Sequence, residues 1–135
     1  MKFKTTLLLA FLAFSLTQCK KDSSDLTTDI VGKYTSGSGS NYTEIIVTKV
    51  DDKTVSVYTF DYLNYGLTHS ATMMNSKTSF SLNKISNTDS GIRYEYEGSG
   101  SYSAGNIVIN RNEKTFDVAS GNLLSEDNRT YTGSK

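Results

Sequence analysis

The stretch Ile92-Arg93-Tyr94-Glu95-Tyr96-Glu97-Gly98-Ser99-Gly100-Ser101-Tyr102 decides the fold. Its first six residues alternate between apolar or aromatic and charged side chains. This period of two predicts a strand with one face toward a core. Gly98 and Gly100 continue the core-facing register, and Tyr102 ends it. Two glycines on that register predict a sharp bend or a close approach by a neighbouring backbone.

Turn signals recur every roughly 8–12 residues along the rest of the chain, a spacing typical of an all-β barrel or sandwich. Tyr62–Gly66 and Ser120–Asn128 are predicted as longer connections, the second with a helical turn at Leu123-Leu124. The segments between turns are predicted as strands: Val31–Ser36, Tyr42–Val50, Thr54–Asp61, Thr68–Met74, Thr78–Ile85, Ile92–Tyr102, Gly105–Asn110, Thr115–Ala119 and Arg129–Lys135.

The predicted fold is therefore an all-β, antiparallel up-and-down meander of eight or nine strands. A meander of this length is most easily closed as a lipocalin-like barrel, because closure removes the unpaired strand edges. A β-sandwich is the alternative. With about eight strands, the interior is just wide enough for packed side chains or for one small ligand.

The N-terminal segment has the layout of a secretory signal. Lys2 and Lys4 precede the apolar run Leu7–Phe14, which is too short to span a bilayer. Leu16-Thr17-Gln18-Cys19 resembles the lipobox of bacterial lipoproteins, with Gln18 in place of the usual small residue. The resemblance implies a signal peptide at residues 1–18, acylation of the Cys19 thiol and a polar tether at residues 19–28. A single domain is expected at residues 29–135.

Two other interpretations of this segment stay open. Ala13-Phe14-Ser15 places small residues where an ordinary signal peptidase would cut after Ser15, and an uncleaved anchor is the third possibility. Lys20-Lys21-Asp22 resembles the short charged export signal of Bacteroidota surface lipoproteins. That resemblance implies a lipid-anchored protein of the outer membrane, either facing inward or displayed at the cell surface.

Composition excludes several classes of protein. Without residues 1–18 the chain carries 12 Lys and Arg against 14 Asp and Glu. It has no basic stripe, so a nucleic-acid partner is not expected. Cys19 is the only cysteine, so no internal disulfide can form. The length allows one domain with a core of its own.

Gly32-Lys33-Tyr34 resembles the Gly-x-Trp signature that opens the barrel of lipocalins and fatty-acid-binding proteins, with Tyr34 replacing the tryptophan. In lipocalins an arginine from the last strand region packs over that ring. The resemblance implies that Arg129 packs against Tyr34 and closes the barrel. Combined with lipidation, it points to the small lipocalin-like lipoproteins of Bacteroidota.

Ser36-Gly37-Ser38-Gly39-Ser40-Asn41-Tyr42 is similar to a loop of the membrane-bound inhibitors of c-type lysozymes. In that family the loop enters the lysozyme active site. The cysteines and the second motif of the family are missing here. An interaction with an envelope protein, through Ser36–Asn41 or Ser120–Asn128, is therefore kept as the alternative function.

Catalytic chemistry is not evident in the sequence. His69 is the only histidine and is expected on an exposed strand edge, without a nucleophile or zinc partner. Glu95 and Glu97 are expected on the solvent face of their strand. Asn87–Gly91 lacks the spaced acids of a calcium loop. We therefore predict a non-enzymatic protein without metal or cofactor.

Binding potential lies in a set of aromatic residues on two strands. If their faces point inward, the lumen is aromatic and carries several hydroxyls, which suits a small apolar or sugar-like ligand. The alternative is that these rings only fill the core. The candidate ligand-binding residues are Tyr58, Phe60, Tyr94, Tyr96 and Tyr102.

Overall fold

The computed structural model describes residues 25–62 and 64–135, which form a closed barrel of eight antiparallel strands in meander order. The prediction of an all-β barrel is confirmed. The strands are β1 (Gly32–Ser36), β2 (Thr43–Lys49), β3 (Thr54–Asp61), β4 (Asn64–Met73), β5 (Ser79–Asp89), β6 (Ile92–Ser103), β7 (Asn106–Asp117) and β8 (Leu123–Ser134), and a 3₁₀ turn lies at Gly39–Asn41.

The second half of the barrel is more regular than predicted. The two short strands expected at Gly105–Asn110 and Thr115–Ala119 are one strand, β7, since Arg111 and Glu113 continue its inward register and bond to each other. The connection predicted at Ser120–Asn128 is wrong for most of its length. Leu123 begins β8, and no helical turn forms there. β4 likewise begins at Asn64, inside the loop expected at Tyr62–Gly66.

The two inward glycines of β6 admit close neighbours, as the sequence predicts. Gly100 lies opposite Phe80 in the β5–β6 register, and a Cβ built there would stand 2.0 Å from Phe80 Cζ. A Cβ on Gly98 would meet the backbone oxygen of Asn110 at 2.1 Å. The missing side chains therefore make room for a core ring and for a backbone.

One end of the barrel, called the base here, is closed by residues that precede β1. Thr27 and Ile30 are fully buried, and Leu26 packs against the core. The Leu26 amide donates to the Asp52 carbonyl at 2.9 Å, and the Tyr34 hydroxyl donates to the Ile30 carbonyl. Residues 25–28, expected in the tether, are thus part of the barrel. The predicted signal peptide and Cys19 lie outside the described residues.

The barrel closes through a short seam between its first and last strands. Thr35 pairs with Ser134, while β8 continues far past the end of β1. The opposite end from the base, where Ser36, Thr43 and Asp61 lie, is called the mouth. In the described part of the chain, no helix is long and apolar enough to cross a membrane.

Candidate functional site at the mouth of the barrel

The interior has an apolar zone at the base and a polar zone toward the mouth. The apolar zone is filled by side chains that expose 4% of their surface or less: Ile30, Tyr34, Ile45, Val47, Val55, Val57, Ala71, Met73, Phe80, Leu82, Ile107 and Ile109. The buried polar residues Thr59, His69 and Arg111 lie above it along β3, β4 and β7. The polar zone is therefore the part of the interior that can recognise a ligand.

Arg111 is the centre of the polar zone and is only 4% exposed. It occupies the inward register that Ile107 and Ile109 begin, so β7 projects the guanidinium into the barrel. Its Nη1 donates to Thr59 Oγ1 at 2.8 Å, and its Nη2 donates to the Tyr131 hydroxyl. The guanidinium also lies over the Tyr131 ring, 4.7 Å from the centroid. Arg111 thus joins three strands across the interior.

Glu113 neutralises Arg111 and links it to a second arginine. Arg111 Nε and Nη2 donate to Glu113 Oε1 at 2.8 and 2.6 Å. The other carboxylate oxygen, Oε2, accepts from Arg129 Nε at 3.1 Å, and that nitrogen also lies 3.2 Å from an oxygen of Asp127. Because a buried charge is costly without a partner, this alternation of signs allows the cluster to exist inside the barrel.

Tyr131 remains protonated at any physiological pH. The pKa of its hydroxyl is raised to about 12, mainly because the side chain is buried. The hydroxyl oxygen accepts a hydrogen bond from Arg111, so its own proton can be donated to a further acceptor. Tyr131 therefore presents a donor at the boundary between the cluster and the mouth.

His69 is fully buried, which contradicts the expectation of an exposed strand edge. Its inward register on β4, shared with Ala71 and Met73, is the reason. Nδ1 lies 3.4 Å from the Asn83 carbonyl, whereas buried Nε2 has no hydrogen-bond partner among the described residues. Burial lowers the pKa of His69, and the nearby Arg111 charge lowers it further. The imidazole is therefore neutral at pH 7.

A cavity of about 280 Å³ opens at the mouth above this cluster. The turn after β1, the facing ends of β2 and β3, and β8 supply its walls. The lining residues are Ser40, Asn41, Tyr42, Thr43, Asp61, Arg129, Thr130 and Tyr131. A larger groove of about 510 Å³ follows the outside of the β1–β8 seam and has no charged lining residue. Of the two, the mouth cavity has the chemistry for specific polar recognition.

The predicted aromatic set divides between the two faces of the barrel wall. Tyr58 and Phe60 alternate with buried Val57 and Thr59, so they lie on the outer face and do not line the lumen. The Tyr58 ring covers Gly66, where an added Cβ would stand 2.1 Å from its hydroxyl oxygen. Ligand binding by Tyr58 and Phe60 depended on side chains that face inward, and the structure does not meet that condition.

The three candidates on β6 share the inward register with Gly98 and Gly100. Tyr102 packs edge-on against Tyr34 with centroids 6.2 Å apart, so it fills the base. Tyr96 reaches the polar cluster, with its centroid 5.8 Å from the Arg111 guanidinium carbon and 6.5 Å from the His69 ring. Tyr94 lies one inward position further toward the mouth.

The predicted packing of Arg129 on Tyr34 is not present. Arg129 bonds to Glu113 and Asp127 near the mouth, whereas Tyr34 lies at the base. Lys135 takes the expected position instead, with Nζ 5.3 Å from the Tyr34 centroid. The cause is the seam register, which sets Gly133 rather than Arg129 beside Tyr34, with 2.9 Å between Tyr34 Cβ and a Cβ built on Gly133.

Sequence reasoning missed Arg111, Glu113, Thr59 and Tyr131 as site residues. The available signal was the unbroken alternation Ile107, Ile109, Arg111, Glu113 on β7, which places two charged residues on an inward register. Dividing this segment into two strands at Asn110 concealed that signal.

Comparison of the chain with protein-family models, curated proteins and solved structures gives no match. Within residues 25–62 and 64–135, no group of three or more His, Cys, Asp or Glu side chains is arranged to hold a metal ion.

Proposed function

We propose that this chain is a non-enzymatic, lipid-anchored lipoprotein of the outer membrane that binds a small sugar-like molecule at the mouth of its barrel. The observation that carries the ligand proposal is the polar cavity above the Arg111–Glu113–Arg129 cluster. Sugars present many hydroxyls, and paired charged side chains both donate to and accept from hydroxyl groups.

The packing of the base favours a sugar-like ligand over an apolar one. A lipid or other apolar ligand needs an apolar cavity, whereas the positions toward the base are filled by core side chains such as Phe80 and Ile109. The mouth cavity is close to the lower limit of about 300 Å³ for small-molecule pockets. Its size suits one ring-sized group with hydrogen-bonding substituents.

Binding is proposed in preference to catalysis because the charged groups around the mouth are committed to one another. Arg129 is held by Glu113 and Asp127, and Glu113 is held by two arginines. His69, the type of residue that most often serves as a general base, is fully buried in the barrel. Such a preorganised polar surface suits recognition of a neutral ligand.

The position of Asp25 agrees with an anchor at Cys19. Asp25 lies at the base, where its carboxylate binds Lys49. Six residue steps separate it from Cys19, which allows a span of at most roughly 20 Å. Acylated Cys19 would therefore hold the base toward the membrane and direct the mouth away from it.

Ligand binding is tested by calorimetric titration of the full-length protein, purified from membranes in detergent, with a panel of monosaccharides and with a fatty acid. We expect binding of a monosaccharide and no binding of the fatty acid. Arg129→Met should remove the binding, because Arg129 lines the cavity. Arg93→Met is the matched control, since Arg93 lies over Phe116 on the outer face. Fatty-acid binding, or equal effects of both variants, would contradict the proposal.

The anchor is tested by metabolic labelling with a radioactive fatty acid followed by membrane fractionation. Cys19→Ser should lose the label and leave the membrane fraction. Ser15→Leu should keep both, because it disrupts only the alternative cleavage position. Absence of label from the unmodified protein, or its persistence in the Cys19→Ser protein, would contradict lipidation of Cys19.

A second candidate function is an interaction module for an envelope protein, including a lysozyme-inhibitor-like role. The supporting observation is that residues 37–41 are all exposed beside the mouth. Ser38→Trp should abolish lysozyme inhibition if this loop enters the enzyme. Absence of inhibition by the unmodified protein would dismiss the lysozyme-inhibitor-like role.

A further inference from the structure

One side of the barrel extends past the mouth. The hydrogen bond from Arg111 to Thr59 places these residues at one level of the two walls. Above Thr59, β3 has one more inward residue, Asp61, before it ends. Above Arg111, β7 continues inward through Glu113, Thr115 and Asp117, and its pairing with β6 runs to Ile92.

The projecting part is a four-stranded sheet, called the overhang here. It consists of residues 85–89 of β5, 92–96 of β6, 113–117 of β7 and 123–127 of β8. Its inner face continues the inward register of the barrel, because Tyr96 pairs with Glu113 and Tyr94 with Thr115. The inner face of the overhang is thus continuous with the polar cluster at the mouth.

Two tyrosines lie side by side on this inner face. Tyr94 and Tyr96 are two residues apart on β6 and share its inward register. Both rings are half-buried, and Ile85 and Ile92 flank them with similar exposure. This aromatic face lies beside the polar cluster, since the Tyr96 ring centroid is 5.8 Å from the Arg111 guanidinium carbon.

We propose that the overhang is a second ligand subsite and that the ligand is a carbohydrate chain of at least two rings. This inference rests on the proposed function. One ring occupies the mouth cavity near Arg129 and Tyr131, and the next ring lies against Tyr94 and Tyr96. The apolar C–H face of a sugar ring stacks on an aromatic face, while its hydroxyls reach polar groups around the rim.

The overhang suits a sugar chain better than a peptide. A peptide strand is bound through a free sheet edge with pockets for alternate side chains, whereas Tyr94 and Tyr96 project from the middle of a sheet, with β5 and β7 on either side. The polar groups that border the tyrosines are mutually paired charges, which suit hydroxyl groups. A peptide ligand is therefore an outcome that the test must be able to detect.

The test is binding of the full-length protein in detergent to an array of mono- to hexasaccharides of neutral and amino sugars, with unrelated peptides printed beside them. We expect di- and trisaccharides to bind about tenfold more tightly than the corresponding monosaccharide, a difference equal to about 1.4 kcal/mol. Tyr94→Ala should remove this gain, and Tyr94→Phe should keep most of it, because the ring supplies the stacking surface.

Two controls separate the subsites. Phe116→Ala removes an aromatic ring from the outer face of the same overhang and should leave the length dependence unchanged. Arg129→Met should weaken monosaccharides and longer chains alike. Thermal melting confirms that each variant is folded, and Tyr94→Phe provides a conservative variant if Tyr94→Ala does not fold.

Three results would overturn the second subsite, and they have different meanings. Equal affinity for one ring and for longer chains, with Tyr94→Ala unchanged, removes the second subsite but leaves monosaccharide binding at the mouth. Absence of binding to every saccharide removes both proposals. Preferential binding of peptides, with loss in Tyr94→Ala, assigns the overhang to a protein partner instead.

Discussion

Arg111 donates a 2.8 Å hydrogen bond to Thr59 across the barrel and thereby ties the long β7 strand to β3. The two residues are 52 positions apart in sequence. Their bond stands at the boundary between the apolar base and the polar mouth. Because Arg111 is also bonded to Glu113 and Tyr131, any change in this layer acts on both stability and the candidate binding site.

Glu113→Gln should lower the free energy of unfolding by about 2 kcal/mol, measured by urea denaturation at pH 7. The variant leaves the buried Arg111 charge without a countercharge, a defect that costs about 3–5 kcal/mol when burial is complete. Glu113 is 18% exposed, and glutamine keeps a hydrogen-bond acceptor, so the expected loss is smaller.

Glu97→Gln is the control for this measurement. Glu97 precedes Gly98 on β6, faces outward and is exposed, so its loss should change stability by no more than about 0.5 kcal/mol. Equal effects of the two substitutions would show that the buried ion pair contributes nothing beyond a surface charge.

The fold could be predicted from the sequence because its signals are local. The alternation from Ile92 to Glu97 and the paired glycines at positions 98 and 100 fix the inward face of β6 without knowledge of other strands. The same alternation predicts the inward orientation of Tyr94, Tyr96 and Tyr102. The inward orientation on which ligand binding by Tyr58 depended is not present, because the neighbouring Val57 and Thr59 occupy the inward register of β3.

The candidate site could be predicted only in part because it depends on closure of the barrel. The pairing register of all eight strands together determines which residue near the end of the chain reaches Tyr34. Lys135 rather than Arg129 therefore covers that ring. His69 sits in a polar sequence context, yet the inward register of β4 buries it. Such positions follow from long-range pairing, which local composition does not encode.

Gly100→Ala should destabilise the barrel by about 2 kcal/mol, as expected for overpacking of a filled core. An added methyl group would stand 2.0 Å from Phe80 Cζ, so the ring must move. Ser101→Ala, on the outer face of the same strand, is the matched control and should have little effect.

A double-mutant cycle with Phe80→Leu tests the cause of that loss. The shorter side chain gives the methyl group space, so Gly100→Ala should cost at least about 0.5 kcal/mol less in the Phe80→Leu background. Strict additivity would mean that the alanine acts through the backbone rather than through the Phe80 ring.

The free energy of unfolding should fall as the pH is lowered from roughly 7 to 5, because His69 binds a proton more readily in the unfolded chain. Burial lowers the pKa of His69 in the folded barrel below its ordinary value of 6.5. Stability from this residue is therefore fully present above pH 6.5 and declines as the pH falls toward the folded pKa. The slope approaches about 1.4 kcal/mol per pH unit within that window.

His69→Gln isolates this contribution, since the chain has no other histidine. Urea denaturation of both proteins between roughly pH 5 and pH 8 should give a smaller slope for His69→Gln. Parallel curves would show that the imidazole can be protonated inside the barrel at no cost, in conflict with its burial beside Arg111.

Lys135→Met should destabilise the base by about 1 kcal/mol, the typical value of an exposed cation–π contact together with one hydrogen bond. Lys135 Nζ lies 5.3 Å from the Tyr34 centroid, 5.5 Å from the Tyr102 centroid and 2.9 Å from the Asp29 carbonyl oxygen. Methionine keeps an apolar stem over the rings but removes the charge. Lys33→Met, which breaks an exposed ion pair with Glu44, should have a smaller effect on stability, because solvent screens that pair. The NMR chemical shifts of the Tyr34 ring should change in Lys135→Met and remain unchanged in Arg129→Met. The reverse pattern would identify Arg129 as the residue that packs on Tyr34 and closes the barrel.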